Sequence, residues 1–410
     1  MVLGIDLNDG GCQITYFKDG MEMPEPLAQI TGREAGRIPM ALAAIKGKPG
    51  DWYFGDEALS LQKQRTDVCL VDGLLSRALA DEIVVVFGRD HSAFELLFTY
   101  LGRLLSLTSF IEPWQGAERI CISALELGAD MVRLLKKIAD RLDYPTEQVD
   151  FIGRSESFYE FVMHQPEELW NRDVVLLDCT GKGVYSRRLF VNRKMRPAVC
   201  RMFIESDEKL DVSDDDAFRA FCENSMEGKI ITSVFIAGEQ VTSERCTKTL
   251  RYLCMKRRVF YGHAVYSKGA ALAAMDRAQG NDRRREYLYL GKDKLTSNVG
   301  LRAYNGTEEA YLPLVDAGIN WYDVRVRKEI YLGREKELRL LLTPLTGRNE
   351  HYAIVRLSDF PTRPEHTTRV RVSLSMDSED FIRVTAEDLG FGEIFPSSGV
   401  KVSEEIAVTI

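Results

Sequence analysis

A strand, a glycine-rich turn and a returning strand occur twice in this chain, once at the N-terminus and once near the middle. The first unit runs from Val2 to Phe17 around Gly-Ile-Asp-Leu-Asn-Asp-Gly-Gly at residues 4–11. The second begins with the apolar run Arg172 to Cys179 and turns at Asp-Cys-Thr-Gly-Lys-Gly, residues 178–183. Apolar runs on both sides of small turn residues are typical of β-hairpins. We therefore expect two related halves, each built from such a hairpin.

Each hairpin is followed by segments whose apolar residues recur at helical or strand spacing. After the first, the pattern predicts a helix over Ala93 to Ser106, a strand over Arg119 to Ser123, a helix around Met131 to Leu142 and a strand over Asp150 to Gly153. In the second, it predicts a returning strand over Val184 to Val191 with Arg187 and Arg188 exposed, a buried strand over Thr232 to Ala237 and a helix near Tyr266 to Met275. This alternation indicates α/β architecture.

The periodicity changes after a charged, glycine-containing stretch at residues 278–293. Beyond it, short alternating runs such as Val370 to Met376 and Phe381 to Ala386 are separated by Gly, Pro, Asn and Asp. Such spacing predicts an all-β domain, most simply a sandwich. We therefore divide the chain into a first half (1–170), a shortened second half (171–280), a linker (281–297) and a β-sandwich domain (298–410).

Composition excludes several classes of protein. The chain has 410 residues, 45% of them hydrophobic, so it can bury several cores and is not expected to be disordered. A formal net charge of -8 lacks the basic excess that binding to nucleic acid requires. Eight irregularly spaced cysteines and no long apolar run favour a reduced, cytoplasmic protein without a membrane anchor. The five scattered histidines suggest no catalytic arrangement.

The two turns also carry candidate chemistry. Glycine lets backbone N–H groups approach phosphate oxygens, and a carboxylate beside the turn can position a hydrated metal ion. Both turns combine a carboxylate, a small polar residue and glycines: Asp6, Asn8, Gly10 and Gly11 in the first, and Asp178, Thr180, Gly181 and Gly183 in the second. Recurrence in two halves makes a phosphate-binding site a stronger interpretation than either turn alone.

Both turns resemble the two phosphate loops of the actin, sugar-kinase and DnaK superfamily, and the DnaK-type (seventy-kilodalton heat-shock) chaperones fit best. The residues that carry the resemblance are Leu3-Gly-Ile-Asp-Leu-Asn, Trp52-Tyr-Phe-Gly-Asp-Glu-Ala, Ile120-Cys-Ile-Ser-Ala, Asp150-Phe-Ile-Gly-Arg-Ser-Glu-Ser, Val174-Val-Leu-Leu-Asp-Cys-Thr-Gly-Lys-Gly, Val234-Phe-Ile-Ala-Gly-Glu and Ser267-Lys-Gly-Ala-Ala. The resemblance implies a two-lobed actin-like ATPase fold with duplicated ribonuclease-H-like halves, followed by a peptide-binding β-domain.

The resemblance also implies roles for particular residues. Asp6 and Asp178 would hold Mg²⁺ through water, and Glu156 would orient the attacking water. Nucleotide, ATP or ADP, would contact the two loops, the adenosine strand end and the following helix: Asn8, Gly10, Gly11, Thr180, Gly181, Lys182, Gly183, Gly238, Glu239 and Lys268. A peptide or protein partner would bind the β-domain.

Several positions depart from the family pattern. Asp9 adds a carboxylate where negative phosphate would lie, which is repulsive unless a metal ion separates them. Lys182 replaces a glycine and could either contact phosphate or block it. The stretch Val71 to Leu75 has no lysine to orient water, and Glu239 would crowd the adenosine. The second half is short, and we expect no helical lid after the β-domain.

Two functions follow from these observations. The first is a nucleotide-responsive, DnaK-like binding protein whose β-domain binds peptide. The second is a pseudo-ATPase, a non-catalytic scaffold that keeps the fold and binds a protein partner without nucleotide. A sugar or acetate kinase is disfavoured because those enzymes lack such a β-domain.

Overall fold

The computed structural model describes residues 1–27, 37–48, 50–281, 283–305, 308–345 and 350–408. The chain forms two compact units, Met1–Tyr287 and Leu288–Ile410. The division falls inside the stretch 281–297 that the sequence marks as a linker. The architecture is mixed α/β in the first unit and β-rich in the second, as the sequence predicts.

The first unit contains most of the helices. Its strands are β1 (Val2–Asp6), β2 (Gln13–Phe17), β3 (Glu25–Pro26), β4 (Ala41–Ile45), β5 (Trp52–Phe54), β6 (Val68–Asp72), β7 (Ile83–Val86), β8 (Arg89–Ser92), β9 (Arg119–Ala124), β10 (Val149–Gly153), β11 (Asp173–Asp178), β12 (Val184–Asn192), β13 (Ala198–Asp207), β14 (Ile231–Ala237) and β15 (Arg258–Tyr261). A further strand, β16 (Tyr287–Tyr289), begins at the last residue of this unit and continues past it. Its α-helices are α1 (Asp56–Gln64), α2 (Leu74–Leu79), α3 (Ala93–Ser106), α4 (Ala129–Arg141), α5 (Arg154–Met163), α6 (Asp215–Met226), α7 (Thr247–Leu253) and α8 (Val265–Gln279).

Two sheets of this unit have the same arrangement. In the first, the order is β10-β9-β1-β2-β3, with β1 antiparallel to β2 and parallel to β9. In the second, the order begins β15-β14-β11-β12-β13, with β11 antiparallel to β12 and parallel to β14. Each half thus starts with a central strand, folds its hairpin partner to one side and adds parallel strands to the other. Asp6 and Asp178 end the two equivalent central strands.

The helices α5 and α8 pack closely against each other and against β1. A Cβ atom on Gly269 of α8 would lie 1.8 Å from the backbone oxygen of Ser157 on α5. A Cβ atom on Gly4 of β1 would lie 2.1 Å from the backbone oxygen of Ser267 on α8. Both glycines therefore permit backbone contacts that no other residue allows. The first sheet and α8 share a small-residue core that includes Ala270, Ala273 and Ala274.

Smaller elements extend the first half. A three-stranded sheet has the order β5-β4-β6, and β7 and β8 form a hairpin. The helix predicted over Ala93 to Ser106 is α3, and its buried residues include Leu96, Leu97 and Leu104. The apolar face of α3 produces the helical spacing of apolar residues from which the sequence predicts this helix.

The second unit contains two four-stranded antiparallel sheets. Its strands are β17 (Ser297–Asn305), β18 (Glu308–Val315), β19 (Arg325–Tyr331), β20 (Glu337–Pro344), β21 (His351–Arg356), β22 (Arg369–Met376), β23 (Phe381–Gly390) and β24 (Lys401–Ala407). The sheet orders are β18-β17-β20-β21 and β19-β22-β23-β24. Burial alternates residue by residue along β22 and β23, so one face of that sheet lies in a core. In the described residues, no helix is long and apolar enough to cross a membrane.

Candidate functional site

The carboxylate that ends the first central strand is ion-paired to an arginine. Nε of Arg154 donates to Oδ1 of Asp6 at 2.9 Å, and Nη2 donates to Oδ2 at 2.8 Å. Asp6 is fully buried and the side chain of Arg154 is 4% exposed. Nη2 of Arg37 lies 3.8 Å from Oδ2 of the same carboxylate. A bidentate pair of this kind is strong and geometrically specific. The charge of Asp6 is thus compensated within the protein.

The carboxylate that ends the second central strand has the same type of partner. Nη1 of Arg187 lies 3.1 Å from Oδ2 of Asp178, and both side chains are almost fully buried. The hydroxyl of Tyr266 donates to Oδ2 at 2.6 Å, while the backbone N–H and hydroxyl of Thr180 donate to Oδ1. The expectation that Arg187 is exposed is therefore wrong. Arg187 faces Asp178 because the hairpin folds β12 back along β11.

One tyrosine links the two ion pairs. The ring of Tyr266, at the start of α8, lies 4.7 Å from the guanidinium carbon of Arg154 and 5.5 Å from that of Arg187. Cations at this distance are attracted by the face of an aromatic ring. Asp6, Arg154, Tyr266, Asp178 and Arg187 form one polar network, which we call the central cluster. It joins the ends of the two equivalent strands.

Electrostatics within the central cluster favour the charged form of Asp178. Burial raises the pKa of Asp178, but Arg187, Arg154 and the hydrogen bonds from Thr180 and Tyr266 outweigh it, so the pKa lies below its usual value. Burial raises the pKa of Tyr266 well above its usual value. Tyr266 consequently keeps its proton, and its O–H donates a hydrogen bond to Asp178.

The glycines of the two turns differ in what surrounds them. Gly11, at a φ of 137°, would place a Cβ 2.9 Å from the backbone oxygen of Ile38, and Gly183, at a φ of 72°, would place one 2.2 Å from that of Asp207. Both are therefore required by packing of the chain on itself. At Gly181, no described atom lies within 4 Å of the added Cβ. The amide of Gly10 donates to the side-chain oxygen of Asn8 at 2.7 Å, so that donor is already used.

Asp9 caps a helix. Its Oδ1 accepts the backbone N–H of Leu75 at 2.8 Å, and its Oδ2 accepts the backbone N–H of Ser76 at 3.2 Å. The hydroxyl of Ser76 also donates to Asp9. These donors belong to the first turn of α2, where backbone N–H groups have no partner within the helix. The stretch Val71 to Leu75, where the resemblance would place a water-orienting lysine, is thereby hydrogen-bonded to the first loop.

Replacing Asp9 with alanine is expected to lower the free energy of unfolding by about 1 kcal/mol, because the first turn of α2 loses its cap. Urea denaturation of the full chain measures the change. Asp19, which lies exposed in the turn after β2, provides the matched control, and its replacement by alanine should change stability by less than about 0.5 kcal/mol. Equal effects at the two positions would contradict the capping role.

Glu156, Lys268 and Glu239 complete the set of predicted site residues. Glu156 is buried on α5, and its Oε1 lies 3.9 Å from Nη2 of Arg277. Arg154, two residues earlier on the same helix, contacts Asp6. Burial lowers the pKa of Lys268 on α8. Glu239, just beyond β14, is exposed.

A cavity of about 340 Å³ lies beside the second turn. Gly181, Lys182 and Gly183 form one side, and the segment from Glu208 to Val212 forms the other, with Gln240 between them. Gly238, which precedes Gln240, has a φ of 134° and packs against Cys179. This cavity contains both acidic and basic side chains, so its charge does not favour an anion strongly.

Sequence reasoning missed the three groups that define the central cluster: Arg154, Arg187 and Tyr266. Arg154 stands between Gly153 and Ser155 at the start of a helix, and position alone did not distinguish it from a surface residue. Arg187 lies in a strand that alternates imperfectly. The available signal was charge balance, since two buried aspartates without a metal ion need cationic partners.

The fold and the cluster together define a mixed α/β protein with a duplicated sheet arrangement and a separate β-rich unit. A family model described as "Family of unknown function (DUF5716) C-terminal" matches residues 23–292, which is more than half of the chain. The chain therefore belongs to this family. A second model, "Domain of unknown function (DUF8552)", matches residues 294–408, the β-rich unit. A search of curated proteins finds no match.

Proposed function

We propose that this protein is a non-catalytic scaffold with an actin-like fold, related to DnaK-type chaperones, whose β-rich unit binds a protein partner. The observation that carries the proposal is the pairing of both expected metal-holding carboxylates with buried arginines. The repeated sheet order, with Asp6 and Asp178 at equivalent strand ends, supports the actin-like fold. The sheet order supports common ancestry with actin-like proteins but says nothing of catalysis. The buried Arg154 and Arg187 argue against retained ATP hydrolysis.

The residues present do not fit a hydrated Mg²⁺. A Mg²⁺ ion held through water needs carboxylate oxygens free to accept hydrogen bonds from its shell. Both oxygens of Asp6 already accept from Arg154, and both oxygens of Asp178 accept from Thr180, Tyr266 and Arg187. A cation placed between these carboxylates would also be repelled by two guanidinium groups. We therefore derive no hydrolytic step.

The β-rich unit offers a surface suited to a protein partner. Register places Tyr304 on β17, Tyr311 on β18 and Tyr352 on β21 on the same face of one sheet, since residues that pair across antiparallel strands share a face. Their exposed fractions are 72%, 46% and 48%. Tyrosine is enriched at protein interfaces because its ring is apolar and its hydroxyl forms hydrogen bonds. We name Tyr304, Tyr311 and Tyr352 the tyrosine face.

Calorimetric titration tests the absence of nucleotide binding. We expect no Mg²⁺-dependent heat with ATP or ADP, because the central cluster already satisfies Asp6 and Asp178. The same titration of Asp178→Asn serves as the comparison. Mg²⁺-dependent binding that disappears in Asp178→Asn would overturn the proposal and establish a working phosphate site.

Pull-down from cell lysate tests the partner. We expect at least one protein to be retained by the wild-type chain and lost when Tyr304 and Tyr352 are both replaced with serine. Replacing the exposed Tyr261 of the first unit with serine is the control for a nonspecific loss of aromatic surface. A partner retained equally by all three proteins would place its binding site elsewhere.

One observation favours a second function, binding of an anion without metal. With Arg37, which lies beside the central cluster at 3.8 Å from Asp6, the described arginines outnumber the two aspartates by three to two. A surplus of arginine attracts phosphate groups and can bind them without Mg²⁺. Nucleotide binding that is equal with Mg²⁺ and with a chelator would support this function over the scaffold.

A further inference from the structure

Three potential metal ligands converge on one side of the α5–α8 pair. Glu160 and His164 are four residues apart on α5 and its end, so they lie on the same face of the helix. Asp276 lies on α8. One ligand atom from each residue falls within 4.8 Å of the other two. The cluster is separate from the central cluster, which uses Arg154 at the opposite end of α5.

The hydrogen bonds of His164 determine which ring nitrogen is available. Its Nδ1 lies 2.7 Å from the backbone oxygen of Glu160, which can only accept, so Nδ1 carries the proton. In a neutral imidazole Nε2 then presents a lone pair. Nε2 is buried without a hydrogen-bond partner among the described residues, and the side chain is only 7% exposed.

That lone pair points toward negative charge. Nε2 of His164 lies 3.3 Å from Oδ2 of Asp276. Two acceptors at this distance repel each other unless a cation or a proton lies between them. Metal-binding histidines usually donate the other ring N–H to a backbone carbonyl or a carboxylate, which is the arrangement of His164 and Glu160.

The carboxylate of Asp276 is also oriented by neighbours. Nδ2 of Asn281 lies 3.3 Å from Oδ1, and Nε of Arg283 lies 3.0 Å from Oδ2. The hydrogen bond from Asn281 is of a kind that holds metal-binding carboxylates in place, whereas the charge of Arg283 opposes a cation and must be outweighed by the carboxylates of Glu160 and Asp276. Arg283 also donates to the backbone oxygen of Met163 at 2.7 Å, which anchors its guanidinium at the edge of the cluster.

We propose that Glu160, His164 and Asp276 bind one divalent transition-metal ion, with Zn²⁺ the best match. One imidazole and two carboxylates are ligands that Zn²⁺ accepts, and the ion prefers four-coordinate geometry with bonds of about 2.0–2.2 Å. The ligand atoms lie within 4.8 Å of one another, and ligands of a tetrahedral Zn²⁺ ion lie about 3.5 Å apart, so binding requires the side chains to draw closer by about 1 Å. The ion would join α5 to α8 at the end of the pair opposite Arg154.

A proton could serve in place of the metal ion. If Nε2 of His164 is protonated, it forms an ion pair with Asp276 and needs no metal. The carboxylate of Glu160 then forms no bond to a metal ion. The two accounts therefore differ in whether the chain binds a metal ion at this cluster.

Metal binding to the full chain, first treated with a chelator, distinguishes these accounts. Visible absorption with Co²⁺ reports the ligand set, and calorimetry with Zn²⁺ gives stoichiometry and affinity. We compare His164→Gln, Glu160→Gln and Asp276→Asn with His263→Gln, a control at an exposed histidine. Circular dichroism of each variant shows whether it folds.

We expect one ion per chain in the wild type and in His263→Gln. Affinity should fall at least roughly 100-fold in His164→Gln and in Glu160→Gln, because each removes a direct ligand rather than an outer-shell partner. Absence of binding would overturn the proposal in favour of the protonated ion pair. Affinity that is unchanged in Glu160→Gln would place the ion elsewhere, and a thiolate absorption band with Co²⁺ that persists in His164→Gln would assign it to cysteine; either result would overturn the proposal as well. If His164→Gln does not fold, Glu160→Gln alone tests the ligand set.

Discussion

Replacing Arg154 with methionine is expected to lower the free energy of unfolding by about 3–5 kcal/mol. The change leaves the carboxylate of Asp6 fully buried without its cationic partner, and breaking a buried ion pair on one side costs this much. Methionine keeps most of the side-chain length, so lost volume contributes little. Urea denaturation monitored by circular dichroism measures the effect on the full chain.

The same substitution at an exposed ion pair is the matched control. Arg133 pairs with Asp130 on α4, and both side chains are about three-quarters exposed (76% and 74%). Arg133→Met should change stability by less than about 1 kcal/mol, because solvent-exposed pairs contribute little. A comparable loss at the two positions would show that the burial of Arg154 is not what makes it important.

A double-mutant cycle isolates the pair itself. Asp6→Asn leaves Arg154 buried without its anion and should also be strongly destabilising. The double variant should be more stable than the sum of the single effects by about 2 kcal/mol or more, because removing both charges leaves neither unpaired. Strict additivity would show that Asp6 and Arg154 act independently.

Replacing Gly269 with alanine is expected to lower the free energy of unfolding by about 3 kcal/mol or to prevent folding. The added Cβ would lie 1.8 Å from the backbone oxygen of Ser157, so α5 and α8 must move apart. Overpacking of a core costs about 1–3 kcal/mol and occasionally more, and backbone atoms adapt less than side chains. Thermal and urea unfolding together measure the loss.

Another helical glycine provides a control with the opposite expected sign. Gly102 lies within α3, and a Cβ there meets no described atom within 4 Å. Alanine at this position should stabilise the protein by about 0.5–1 kcal/mol, since glycine is the weaker helix former. Destabilisation at Gly102 similar to that at Gly269 would reject close helix packing as the cause.

Much of the secondary structure could be predicted from the sequence, because it depends on local patterns of apolar and turn residues. The helix over Ala93 to Ser106 and the hairpin from Val2 to Phe17 were confirmed, since each follows from apolar periodicity or from glycine at a turn. In the β-rich unit, the predicted run Val370 to Met376 lies within β22, which starts one residue earlier. The roles of nucleotide, Mg²⁺ and the partner remain predictions.

The ion pairs of the central cluster could not be predicted from the sequence, because they depend on how distant segments fold together. Arg154 and Asp6 are separated by most of the first half, and Tyr266 reaches Asp178 from a helix late in the unit. The spacing of neighbouring residues carries no information about contacts between segments that are so distant in the sequence. Similarly, nothing in the sequence distinguishes His164 from the other four histidines. It becomes a candidate metal ligand only because α8 places Asp276 beside it.

The position of α8 bears on how this protein could be divided into pieces. By sequence the helix belongs to the second half, yet Ala270, Ala273 and Ala274 pack into the core that contains Val2 and Ile152 of the first sheet. A recombinant fragment of residues 1–170 would leave that apolar surface open to water and to other molecules. A cut for expression therefore belongs near the boundary of the two units but outside β16 (Tyr287–Tyr289), and the two sequence halves should be handled as one piece.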